Sequence, residues 1–291
     1  MSSNTVLVCG AGLMGHGIAQ VCAVSGHDVF LYEPDRARAE AGLSRIAGNL
    51  ERAVSKGRMS ADDRAAALRR IRIADALGGA VAQCDLAVEA VFEDEAVKRS
   101  LFSELDQRAP EHTILASNTS SISITRLAAA VRPARRERFV GMHFFSPVPV
   151  MPLIELVRGA ETSDETEAAI RDLASELGKQ VIVSKDRPGF IVNRVLMPYL
   201  VEAMRACEEG LGTPEDIDTG VRLGLNHPMG PLELADFIGL DVCLHVMEVL
   251  YAGFHEPQFA PPPILRQLVD AGYLGQKTGR GFYAYPREAK A

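Results

Sequence analysis

The sequence predicts an α/β domain built on a mostly parallel sheet, followed by a smaller all-helical domain. Three observations carry that expectation. Short β-rich runs alternate with helical stretches over the first two-thirds of the chain. A glycine-rich turn joins the first strand to the first helix. The strands stop at Pro188-Gly189, and beyond them only helical periodicity remains.

Taken in order, "TVLVC" (5–9) is the first strand, and a helix at about 16–25 follows its glycine turn. "DVFLYE" (28–33) is the second strand. A long amphipathic helix is expected over about 35–57, where Leu43, Ile46, Leu50 and Val54 recur at helical spacing. "IRIA" (71–74), "DLAVEAV" (85–91), "TILA" (113–116), "RFVGMH" (138–143), "LIELV" (153–157) and "QVIVS" (180–184) read as further strands. The boundary falls near 187, giving domains 1–187 and 188–291. In the second, "FIVNRVLMPYLVEAMRACEEG" reads as one long helix ended by Gly210. Thr213 then has the character of an N-cap, with Pro214 in the first helical position and Asp216 three residues on. Helical patterns continue to about 271.

Bulk properties narrow the function classes. With 291 residues, 47% hydrophobic and 24% charged, the chain has ample length and apolar content to bury a core. A net charge of −7 argues against a nucleic-acid partner, which wants a basic face. It leaves room for a local basic patch toward a phosphorylated ligand. The start, "MSSNTVLVCGAG", passes almost at once into a strand without a basic leader, and no apolar run approaches the ~18 residues of a membrane span. Cys9, Cys22, Cys84, Cys207 and Cys243 show no CxxC and no regular spacing. Reduced thiols, a cytoplasmic setting, no membrane association and no metal site are therefore expected.

Gly10-Ala11-Gly12-Leu13-Met14-Gly15 fits G-x-G-x-x-G, and its position between a strand and a helix makes it a Rossmann-like dinucleotide fingerprint. The first glycine makes the turn, the second lets backbone approach a pyrophosphate, and the third lets helix pack on strand. Glu33 ends the second strand, eighteen residues after Gly15. An acid there accepts from ribose hydroxyls and repels a 2′-phosphate, which favours NAD over NADP. Arg36 and Arg38 stand close by and pull the other way.

"GMHFFSPVPVMPLIELV" (141–157) is apolar except for His143 and Glu155, and Pro147, Pro149 and Pro152 lie between them. Prolines so dense cannot occupy a central strand, so they make a loop between two strands. Such a loop can bring the imidazole beside the carboxylate, a pairing that favours the imidazolium and fixes its tautomer, as a general base requires. A core histidine with an unrelated strand-edge acid fits the same residues equally well. "SNTSS" (117–121) follows the strand "TILA", where an open parallel sheet binds its ligands. The stretch also fits a helix N-cap, with Ser120 or Ser121 capping a helix from about 122. Asn193, early in the next domain's helix, suits a bond to nearby backbone as well as a ligand.

Seven motifs, in order and at matching spacing, resemble one family: "GAGLMGHGIAQ", "DLAVEAVFEDEAVK", "ASNTSS", "GMHFFSPVPVMPLIELV", "KDRPGFIVNRVLMPYLVEA", "HPMGPLELADFIGLD" and "KTGRGFYAY". Together they span nearly the whole chain, and the family is that of the L-3-hydroxyacyl-CoA dehydrogenases, particularly its bacterial 3-hydroxybutyryl-CoA branch.

The resemblance implies NAD-dependent oxidation of a short-chain (S)-3-hydroxyacyl-CoA to the 3-ketoacyl-CoA. By it, His143 is the base that takes the hydroxyl proton, Glu155 orients the imidazole, and Ser120 and Asn193 hold the substrate. Gly10 to Gly15, Glu33, Glu93, Lys98, Ser120, Ser146 and Lys277 become cofactor contacts. Ser146 stands where other members carry a longer asparagine. The resemblance further implies acyl-CoA along the helix after the second strand, where Arg52, Lys56 and Arg58 meet its phosphates or form a solvated face, and a homodimer through the helical domain. Dehydrogenases of free hydroxy acids, of gulonate or carnitine type, share the first domain and the His–Glu logic. Catalytically idle NAD-binding relatives share the fold. β-Oxidation, butyrate or polyhydroxybutyrate metabolism and aromatic-acid degradation all use such a reaction.

Overall fold

The computed structural model describes residues 4–285. These fall into two compact units, divided between Arg187 and Pro188. The first runs β1 (Thr5–Cys9), α1 (Leu13–Val24), β2 (Asp28–Tyr32), α2 (Arg36–Ser55), α3 (Ala61–Arg70), β3 (Ile71–Ile73), α4 (Leu77–Val81), β4 (Leu86–Glu89), α5 (Glu95–Arg108), β5 (Ile114–Ser117), α6 (Ile124–Ala128), β6 (Phe139–Phe144), β7 (Leu153–Arg158), α7 (Asp164–Glu176) and β8 (Gln180–Lys185). The strands form one sheet in the order β3-β2-β1-β4-β5-β6-β7-β8, parallel throughout except for the antiparallel pair β6–β7.

The strands read as near-continuous hydrophobic runs because both faces of the sheet are covered. One face carries Val6, Val8, Val88, Ala116, Val140, Met142, Ile154 and Leu156, which pack with Ile18, Ile46, Leu50 and Leu173 of α1, α2 and α7. Side chains alternate along a strand, so Cys9, Glu89, Ser117, Gly141 and Val157 share the other face as register partners in one row. His143 and Glu155 are partners on that same face. The polar residues of the sheet interior therefore gather on one side and near one edge.

Several loops of the first unit are fixed by buried charge. Asp106 accepts from the side chains of Arg132 and Arg135, and Arg135 donates onward to the carbonyls of Ala109, Pro110, Glu111 and Thr113. Asp186 accepts from Ser123 Oγ and from the N–H groups of Ile124 and Thr125 at the start of α6. Ser123, which accepts from the Arg126 N–H, is the N-cap. The expected cap at Ser120 or Ser121 is thus corrected, because the helix starts two residues later, where Asp186 meets its first turn.

The second unit is helical: α8 (Val192–Glu208), α9 (Pro214–Gly224), α10 (Pro231–Ile238), α11 (Leu240–Phe254) and α12 (Pro263–Asp270). Thr213 caps α9 by accepting from the Asp216 N–H, with Pro214 in the first position. Among the described residues no single helix is long and apolar enough to cross a membrane. Leu232, Ala235, Leu240, Val246, Met247 and Leu250 of α10 and α11 lie in this unit's core. Two buried aspartates lock the chain's later turns onto it. Asp218 accepts from Leu232 N, Glu233 N and Tyr283 OH, and Asp236 accepts from Phe282 N, Tyr283 N and Tyr285 OH. The motifs "HPMGPLELAD" and "KTGRGFYAY" are thereby joined to each other by hydrogen bonds. The five cysteines are free thiols, four of them buried and Cys207 half-buried.

Candidate active site

Strand order reverses between β1 and β4, the point where an open sheet of this kind leaves a crevice beyond its carboxyl ends. The glycine turn follows β1 at that point. Gly10 has φ +106°, and a Cβ on it would stand 2.5 Å from the Ala90 carbonyl oxygen. A Cβ on Gly15 would lie 1.8 Å from Gly10 O, so that glycine is required by the contact of α1 with the turn. Gly12 is different: no atom of the chain lies within 4 Å of where its Cβ would stand, and its backbone is extended. Packing inside the protein does not demand a glycine there, and the position is open to the close approach of a ligand. No side chain caps α1, so its first N–H groups face the same approach. Glu33, at the end of β2, accepts from the Ala11 N–H at 3.2 Å and lies 3.9 Å from Arg38. Arg36 is drawn off to Glu40 and Asp75. These residues fit the pyrophosphate and ribose of a dinucleotide.

Three strands over from β1, β6 delivers His143 to the carboxyl edge. Because β7 runs antiparallel to β6, it is the start of β7 that lies at this edge, and Glu155 comes opposite His143. His143 Nδ1 is 3.0 Å from Glu155 Oε2, with the side chains 8% and 0% exposed. An ionised carboxylate only accepts, so Nδ1 carries the hydrogen of this bond. The Phe145 ring lies 4.5 Å from the imidazole, centroid to centroid, and keeps that side apolar. Asn118 Oδ1 accepts from the Phe144 N–H at 2.8 Å and ties the end of β5 to the end of β6.

The proline loop between the two strands is held from outside. Lys179 donates to the carbonyls of Val148 and Met151, at 2.7 Å each. Burial lowers the pKa of this ammonium, which is met by carbonyl dipoles in place of a carboxylate. The loop, one side of α1 along its length, the last turns of α2 and the turn at Leu177–Lys179 line an open cavity of about 700 Å³. Arg52, Lys56, Arg58 and Lys179 line it with Asn49, Gln20 and His16, and none of its lining residues is acidic. Ser146 is exposed at the head of the loop.

The segment after β5 is gathered on Glu93. Its Oε1 accepts from Thr119 Oγ1 at 2.5 Å, Ser120 N at 3.0 Å and Ser121 Oγ at 2.9 Å, and Oε2 lies 3.1 Å from Lys98 Nζ. Burial acts to raise the Glu93 pKa, but the Lys98 ammonium and these hydroxyls outweigh it and hold the carboxyl below its ordinary value. Lys98 itself is only 1% exposed. Its ammonium lies within the protein between Glu89 and Glu93.

Asn193 stands in the first turn of α8 and Lys277 pairs with Asp241, both in the second unit. Ser117 and Asn118 belong to the "SNTSS" stretch that the sequence already points to, whereas Glu89 and Lys179 carry no such motif. The signal for Glu89 was present as a lone acid closing an otherwise apolar strand.

Residues 5–187 match the family described as "3-hydroxyacyl-CoA dehydrogenase, NAD binding domain", and residues 189–285 match its "C-terminal domain". The chain belongs to the 3-hydroxyacyl-CoA dehydrogenase family. It is 51% identical over 278 residues to a 3-hydroxybutyryl-CoA dehydrogenase of Bradyrhizobium diazoefficiens, covering 96% of this chain and 94% of that one. Among solved structures it is similar to FadB2 of M. tuberculosis, with a TM-score of 0.95, 46% identity and coverage of 98% and 100% of the two chains. It is likewise similar to the (S)-3-hydroxybutyryl-CoA dehydrogenase PaaH1 of Ralstonia eutropha, with a TM-score of 0.93, 48% identity and the same coverage. As in the rest of this family, the first unit is an NAD-binding domain.

Proposed function

We propose that this protein oxidises the 3-hydroxyl of a short-chain (S)-3-hydroxyacyl-CoA, of the 3-hydroxybutyryl-CoA type, to the 3-ketone with NAD as acceptor. The observation that carries the reading is the His143–Glu155 pair at the carboxyl edge of the sheet that also presents the glycine turn. Bound NAD supplies the acceptor for the hydride that leaves C3. The protein's own residues do the rest. With Nδ1 committed to Glu155, His143 Nε2 is the nitrogen that takes the hydroxyl proton. The Glu155 carboxylate stabilises the imidazolium that forms, and low exposure strengthens that coupling.

Ser120, with its N–H already fixed by Glu93, is assigned to the substrate's reacting oxygen, and Asn193 is assigned to substrate as well. Glu33, Glu93, Ser146 and Lys277 serve the cofactor, and Lys98 acts on it through Glu93. The cation-lined cavity suits the phosphates of CoA, with Arg52, Lys56 and Arg58 as their partners. Domain 1–187 carries the cofactor, and 188–291 forms a homodimer. Leu211, Leu223, Leu225 and Phe237, each more than half exposed in the second unit, suit such an interface. The free thiols suit a cytoplasmic setting.

The test is NADH oxidation with acetoacetyl-CoA beside free acetoacetate. Turnover of the thioester with little of the free acid supports the reading; turnover of the free acid alone, or of neither, sinks it.

A further inference from the structure

Glu89 is the last residue of β4 and has no exposed surface. Both of its oxygens are occupied. Oε1 accepts from Lys98 Nζ at 2.5 Å and from the Val91 N–H at 2.7 Å, and Oε2 accepts from Ser117 Oγ at 2.6 Å. Burial pushes its carboxyl above the ordinary value even against the Lys98 ammonium. Burying a carboxylate together with its ammonium partner is costly, and a buried pair of this kind is often no more stable than apolar side chains of similar volume in both places. The arrangement therefore has to be explained by what it holds.

What it holds is a line of contacts leading outward. Glu89 fixes Lys98, Lys98 fixes Glu93 Oε2, and Glu93 Oε1 collects Thr119, the Ser120 N–H and Ser121. Glu89 also fixes the Ser117 hydroxyl, which accepts from the Thr119 N–H at 3.2 Å. Its backbone carbonyl accepts from the Asn118 N–H at 2.9 Å. Exposure rises along the line, from 0% at Glu89 and 1% at Lys98 to 27% at Glu93. Every contact of the 117–121 segment named here leads back to Glu89 directly or through Lys98.

We infer that Glu89 is a positioning residue, which sets the Glu93 carboxylate and the Ser120 segment for cofactor and substrate through Lys98 and Ser117. The inference rests on the reading of Glu93 and Ser120 as ligand contacts. Two variants test it, Glu89→Gln and the double variant Glu89→Gln/Lys98→Met, each compared with the parent protein in three measurements. These are the dissociation constant of NADH from its own fluorescence, kcat and KM with acetoacetyl-CoA, and the thermal midpoint.

A positioning role predicts weaker NADH binding and a kcat lower by on the order of 10²-fold in Glu89→Gln, since a small misplacement of reacting groups has that scale. It also predicts that the double variant, having lost both buried charges, recovers its thermal midpoint and not its kcat or NADH affinity. Unchanged NADH affinity and kcat in Glu89→Gln overturn the inference. So does a double variant that regains both along with its midpoint, because Glu89 then only balances Lys98. A parent protein inactive on acetoacetyl-CoA refutes the substrate reading, and the NADH constants still decide the role of Glu89.

Discussion

His143 and Glu155 are register partners across an antiparallel strand pair inside a sheet that is otherwise parallel, and their side chains meet at 3.0 Å. The single reversal at β7 makes this possible. A parallel β7 would carry its residues toward the carboxyl edge by its end and would need a crossover connection. Substituting Glu155→Gln keeps the shape and removes the charge. We expect kcat to fall by on the order of 10²- to 10⁴-fold, the range of a general-base contribution, with NADH affinity little changed. Steady-state rates beside NADH titration check this.

The glycines of the nucleotide turn separate fold from binding. A Cβ at position 12 meets no atom of the chain, so Gly12→Ala should keep stability within about 0.5 kcal/mol and weaken NADH binding. Gly15→Ala forces a carbon against Gly10 O and should cost about 1–3 kcal/mol by overpacking. Urea midpoints with NADH titrations read both.

Lys179 holds the proline loop by two carbonyls and lines the cavity assigned to CoA. Lys179→Met should raise KM for acetoacetyl-CoA about tenfold, equivalent to ~1.4 kcal/mol, the net value of one or two hydrogen bonds, and should leave kcat less affected. Lys179→Arg, which can still donate to both carbonyls, should recover part of the loss.

Much of this was legible in the sequence, for identifiable reasons. Local signals were enough where one segment carries its own geometry: the glycine turn, the prolines that part His143 from Glu155, the Thr213–Pro214 helix start. They were insufficient where the partner is remote. Ser120, Ser121 and Ser123 offer the same hydroxyl for a cap, and Asp186, about sixty residues further on, meets the turn that starts at Ser123. Glu89 and Lys98 carry opposite charges nine positions apart, one on a strand and one on a helix, and nothing in that spacing announces a buried pair. Lys98 has the reach of a surface contact, and only the packing of α5 on the sheet encloses it.

Asp106 sets an acid limit on stability. Burial acts to raise its carboxyl pKa, but hydrogen bonds from Arg132 and Arg135 outweigh this and hold it below the usual carboxylate value. A depressed folded-state pKa contributes stability above the unfolded value, about 3.9, and that stability is lost as pH falls through the folded value. Asp106→Asn leaves Arg135 buried with one charge partner fewer, and should cost about 3–5 kcal/mol near neutrality. The difference between variant and parent should shrink below about pH 4. Denaturation midpoints at neutral and acid pH decide it.

In the proposed reaction His143 takes the substrate proton. His143→Ala, assayed with NADH and acetoacetyl-CoA beside the parent protein, tests it most directly. NADH binding should stay close to that of the parent and kcat should fall by on the order of 10²- to 10⁴-fold. A folded His143→Ala variant that turns over at nearly the parental rate would contradict it.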